Sequence, residues 1–96
     1  MMPIGSLQDL VENLADIDPE MTIYAVEPWT GKSRAVVAME PEEGGLPEEA
    51  VSAGAAYFLE VFLALDFLDD WRASLDHEPS DGESCERLIQ YAIADA

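Results

Sequence analysis

The apolar positions change period several times along this chain, and each change predicts an element. Leu7, Leu10, Val11 and Leu14 recur at spacings of 3, 4 and 3 behind Ser6, with Asp9 three places after it. That is the signature of a short, side-chain-capped amphipathic helix. It should end by "DIDPE", because Pro19 disfavours helical geometry at Asp18. The next stretch, "MTIYAVEPWTGKSRAVVAME", is rich in β-branched residues and reads as two strands, Thr22 to Val26 and Ser33 to Met39, joined through Pro28 and Gly31. The loop is longer than two residues, so the turn alone does not set the hairpin register.

"EPEEGGLPEEAVSAG" holds five Glu, two Pro and three Gly, a composition that predicts a mobile acidic loop. One or two helical turns then start near Pro47 and stop at Gly54. Downstream, "YFLEV" alternates Tyr57, Leu59 and Val61 against Phe58 and Glu60, as a half-buried strand would. From about Phe62 a helical period takes over. Ala64, Phe67, Leu68, Trp71 and Leu75 share one sector of the wheel, and Asp66, Asp69, Asp70, Ala73 and His77 share the opposite one. The segment from Gly54 to His77 is therefore a strand running into a helix, with no evident N-cap at the junction. The last helix begins at Ser80, where Ser80 and Glu83 make a capping box and Cys85, Leu88, Ile89, Ala92 and Ile93 repeat on one face. Asp95 and the terminal carboxylate lie at its negative pole, so fraying or a cationic contact is expected there.

This order implies a single α+β domain over residues 1–96, with a small three-stranded, mainly antiparallel sheet packed against helices on one face. The other sheet face would be an apolar patch if Tyr24, Val26 or Phe58 point to it. A chain of this length buries a modest core, so a homodimer covering such a patch is an expectation as well.

Charge narrows the choice of partners. Twenty-one Asp and Glu stand against four Lys and Arg, a formal net charge of -17, and the resulting field disfavours nucleic acid and anionic membranes while attracting cations and basic protein surfaces. The single Cys85 allows no internal disulfide and no Cys-based zinc site, which points to a reducing, cytoplasmic setting. The start "MMPIGSLQDL" has no basic segment leading into an apolar run, so no secretory leader is expected. The longest apolar run, Ala53 to Leu65, is interrupted by Glu60 and too short to span a bilayer.

Candidate chemistry is sparse. Asp66, Asp69 and Asp70 are near enough on one helix face to share a hard cation, whereas His77 is about three turns from Asp66 and too far for the same ion; a hydrated acidic face is the favoured reading. Trp29 with Lys32 and Arg34 joins an aromatic to cations in a turn, an anchor for a partner, although an indole closing the sheet end accounts for the same residues. Glu60, set between Leu59 and Val61, would have a raised pKa if buried; a salt bridge to Arg34 or Arg72 is the commoner outcome. Cys85, on the apolar face of its helix, reads as an inert buried thiol. No nucleophile elbow, phosphate-cradling loop or histidine pair occurs, and no cofactor or metal is expected. The frame of "TIYAVEPW", "YFLEV" and "CERLIQYAIADA" resembles small acidic bacterial proteins of unknown function; the likeness runs through mainly apolar positions and implies no activity and no site residue. These observations favour a non-catalytic module, of inhibitor or immunity type, that binds a basic protein partner through Trp29, Lys32, Arg34 and the Asp66, Asp69, Asp70 face. The alternatives are a small enzyme or metal- or ligand-binding protein using Glu60 or that Asp face, and a structural homodimer.

Overall fold

The computed structural model describes residues 5–95. Met1 to Ile4, where the absence of a leader was expected, and the terminal carboxylate beyond the last helix lie outside the described residues. The elements run β1 (Gly5–Ser6), α1 (Leu7–Glu12), a 3-10 turn (Leu14–Asp16), β2 (Thr22–Ala25), β3 (Arg34–Ala38), α2 (Glu48–Ala53), β4 (Ala56–Glu60), α3 (Val61–Ala73) and α4 (Asp81–Asp95). The fold is α+β, as the pattern predicts, but the antiparallel sheet has four strands in the order β1-β3-β2-β4 rather than three. The added strand is the two-residue β1, which pairs Gly5 with Ala35 and Ser6 with Arg34. Two residues carry no readable period, so only the pairing reveals them.

Capping behaves as the local sequence dictates. Ser6 Oγ accepts from the Asp9 N–H at 3.1 Å. At α4 the Ser80 Oγ accepts from the Glu83 N–H and the Glu83 carboxylate accepts from the Ser80 N–H, each at 3.1 Å. Gly54 closes α2 with φ at 70°, a left-handed conformation that suits glycine. The α3 start is different. Glu60 occupies the N-cap position without a side-chain bond, and the first free N–H groups are taken by distant carbonyls: Val61 N–H donates to Met21 O at 2.9 Å and Phe62 N–H to Pro19 O at 3.2 Å. Chain entering β2 thus caps α3, which removes the need for a capping residue in the local sequence.

Sheet register assigns the two faces. Ile23 pairs with Val37 and Ala25 with Ala35, and these four face the main core with Leu7, Leu10, Val11, Leu14, Leu68, Leu88 and Ile89 of the helical layer. Tyr24 pairs with Val36 and Thr22 with Ala38 on the opposite face. Between β2 and β4 the register shifts at Ile23/Tyr24, where Ile23 pairs with Leu59 and Tyr24 with Tyr57. Phe58 is the extra residue of this bulge. The expected alternation of Tyr57 and Leu59 on one face therefore fails: Phe58 and Leu59 both enter the main core, and Tyr57 stands 43% exposed beside Tyr24.

The second face is not an open patch. α2 lies over it, and Tyr24, Val36, Ala38, Ala50 and Ala55 form a smaller buried cluster there. Helices thus cover both faces, correcting the one-sided arrangement expected from the pattern. No helix among the described residues is long and apolar enough to cross a membrane.

Candidate functional site

The β2–β3 loop carrying Trp29 is held by its own polar groups. Ser33 Oγ accepts from the Thr30 N–H at 2.9 Å and donates to Pro28 O at 3.1 Å. α1 then braces the loop from outside, with Leu7 N–H donating to Ser33 O and Gln8 N–H to Gly31 O at 2.7 and 3.0 Å. Within this frame the Trp29 indole N–H donates to Ala25 O at 3.1 Å, and the ring meets Phe58 edge-on with centroids 4.9 Å apart. Trp29 is half-buried against the main core, so the indole both closes the sheet end and stays accessible along one side.

That accessible side forms a groove of about 490 Å³ between the loop, α1 and α4, lined by Trp29, Thr30, Gly31, Gln8, Cys85 and Ile89, with Gly82, Glu86 and Gln90 along its rim. The rim residues recur every four positions, which places them in one row on α4. The approach is close at Gly31: a Cβ there would lie 3.0 Å from Gln8 Oε1, so the amide would have to shift by a few tenths of an ångström to admit one. Sequence reasoning found Trp29 but missed Gln8, Gly82, Glu86 and Gln90. The four-residue row was a readable signal; its position opposite Trp29 was not.

Lys32 and Arg34 do not join Trp29 in this groove. Both line a shallow cleft beside Gly5 and Ser6. Arg34 also sits beside Glu48, Glu49 and Ser52 of α2, on the sheet face away from the Trp29 groove. Asp66, Asp69 and Asp70 are exposed on α3, as the wheel requires. They do not gather with other ligands, since no group of three or more His, Cys, Asp or Glu among the described residues is placed to hold a metal. His77 is not on that helix at all: α3 ends at Ala73, and His77 Nδ1 lies 3.2 Å from Asp76 while Nε2 lies 3.9 Å from Glu83.

Comparison with protein-family models, curated proteins and solved structures finds no match to this chain. Its chemistry is therefore read from its own surface.

Every described Asp and Glu whose side chain is placed is exposed except Glu60, which is half-buried. Glu60 makes no ion pair with Arg34 or Arg72, contrary to expectation; Arg72 Nη2 instead donates to the buried Ser84 Oγ at 3.5 Å. Arg87 is likewise diverted, its guanidinium lying 5.1 Å over the Phe67 ring, which stacks in turn on Tyr91 at 4.2 Å. These contacts tie α3 to α4. No Lys or Arg lies within ion-pairing distance of a carboxylate among the described residues, so the acidic surface has little internal neutralisation beyond the cleft that Arg34 shares with Glu48 and Glu49.

Among the described residues, Glu83, Cys85 and Tyr24 have displaced acidities. Hydrogen bonds from the Ser80 backbone and hydroxyl lower the Glu83 carboxyl, with His77 adding to the effect. Burial pushes the Cys85 thiol up to about 11, helped by Glu86 and Glu12, which makes it a poor nucleophile near neutrality. Burial also raises the Tyr24 phenol, with Glu40 the next cause. Among the described residues the buried Tyr24 hydroxyl makes no well-formed hydrogen bond, although the Thr22 side chain lies close enough to favour its ionised form.

Proposed function

We propose that the protein is a non-catalytic binding module that engages a basic surface on a protein partner, in the manner of an inhibitor or immunity protein acting in the cytoplasm. The observation that carries this reading is the largely unneutralised acidic surface: a net charge of -17 with Arg72 and Arg87 committed to Ser84 and Phe67 rather than to carboxylates. Such a field accelerates encounter with a basic partner and excludes acidic competitors. Asp66, Asp69 and Asp70 supply part of that charge on α3, Trp29 supplies apolar contact area, and Lys32 and Arg34 stand apart from Trp29 as rim contacts.

Affinity purification at low ionic strength, followed by titration of the recovered partner against salt, tests the proposal. The partner should have a basic surface, and its affinity should fall steeply as salt rises. A complex indifferent to salt would remove the electrostatic account. Self-association is a second reading, favoured by the exposed apolar side chains of Val51 and Tyr57, 62% and 43% accessible. Sedimentation should then show a dimer whose fraction grows with concentration.

A further inference from the structure

We propose that the groove between Trp29 and α4 receives an arginine side chain from the basic partner; this rests on the preceding proposal and names where one partner residue docks. The lining selects a cation. Among the described residues that line it Glu86 is the one charged side chain, and Gln8 from α1 and Gln90 from α4 add polar amide groups. Cys85 and Ile89 are buried apolar residues at its base, a surface suited to the methylene stem of a long cationic side chain. The Trp29 indole provides an aromatic wall, against which a guanidinium gains both stacking and cation–π attraction. Arginine fits this set better than lysine because its planar fork can reach several acceptors at once and is more weakly hydrated than an ammonium.

The site is also held in shape before any ligand arrives. Trp29 is fixed through its N–H to Ala25 O and its edge contact with Phe58. The loop is braced by Ser33 and by the backbone bond from Gln8 to Gly31. A site that does not have to order itself loses less free energy on binding. Gly82 keeps the rim open, and nothing in the fold requires glycine there: an added Cβ would meet only Ser80 Oγ, at 3.9 Å. Gly82→Leu therefore has room for its Cβ and places an isobutyl group at the groove, and leucine is the better helix former.

The test uses the full chain, isotope-labelled for NMR, with a blocked alanine peptide carrying one central arginine and its citrulline counterpart, which keeps the shape and lacks the charge. The arginine peptide should shift the Trp29 indole N–H together with Gln8, Glu86 and Gln90, and citrulline should bind much more weakly. Glu86→Gln should weaken the arginine peptide by about two- to fivefold, the range of a solvent-accessible ion pair. Gly82→Leu should abolish the groove shifts while the remaining spectrum stays folded. Equal binding of the citrulline peptide, shifts confined to the Asp66, Asp69 and Asp70 face, or an unchanged response in Gly82→Leu would each overturn the proposal. An oligo-arginine peptide separates the two levels of the argument. Salt-sensitive oligo-arginine binding that leaves the Trp29 indole and Gln90 signals unmoved in the wild type keeps the acidic-surface reading and removes the groove; no binding to either form removes both.

Discussion

The two faces of the sheet are buried by different means. On one, α1, α3 and α4 press large aliphatic and aromatic side chains onto Ile23, Val37, Phe58 and Leu59. On the other, a helix of six residues covers Tyr24 and Val36 with little more than Ala50 and the partly buried Ala53, joined by Ala55 just beyond its end. Hydrophobic stabilisation scales with apolar area removed from water, so the first face carries most of the folding energy. A two-turn helix gains little from its own backbone bonds; α2 stays in place through its Gly54 stop and the few methyl groups beneath it. A sheet face can thus be dry without being strongly held.

The largest expected effect lies on the main face. Leu88 is fully buried there, and Leu88→Ala should destabilise the chain by ~2–5 kcal/mol in denaturant titration. The matching change under α2, Val36→Ala, removes less buried volume and should cost about 1–2 kcal/mol. Equal losses for the two variants would show that both faces are held with similar strength.

Ser80→Ala comes next, since it removes one half of the α4 capping box and should cost ~1 kcal/mol. This cap also has a pH signature. The Glu83 carboxyl is lowered from its ordinary 4.5 in the folded chain, so the unfolded chain binds its proton first as pH falls. Its contribution is present above pH 4.5 and is lost as pH falls through the lower folded value. The stability gap between wild type and Glu83→Gln, followed by thermal melts, should therefore close below pH 4.5 and stay level above it.

The smallest effect should have the opposite sign. Among the described residues the buried Tyr24 hydroxyl has only a weak contact with the Thr22 side chain, so Tyr24→Phe removes a poorly compensated polar group and should leave stability unchanged or raise it by up to ~1 kcal/mol. The raised Tyr24 pKa means that the unfolded chain releases this proton first as pH climbs past 10, which lowers the stability of the wild type. Tyr24→Phe lacks that contribution and should lose less on alkaline titration. A clear destabilisation at neutral pH would show that the hydroxyl has a partner under α2.

What the sequence determined by itself lies within a few residues along the chain. The Ser6 cap, the Ser80–Glu83 box, the Gly54 stop, the switch from strand to helix in Gly54 to His77 and the acidic outer face of α3 all depend on neighbours no more than about one or two turns away. Propensity and period therefore report them directly. Charge was legible for the same reason, because it needs only a count. Tertiary structure decided what depends on distant partners. Gly5–Ser6 became a strand only by meeting Ala35 and Arg34, Phe58 turned inward only through the register shift against β2, and α3 found its cap in the Pro19 and Met21 carbonyls. The Trp29 groove belongs to this second class. Trp29 could be singled out as an aromatic in a turn, but Gln8, Glu86 and Gln90 face it because helices at opposite ends of the chain pack side by side, and contacts of that range leave no period in the sequence.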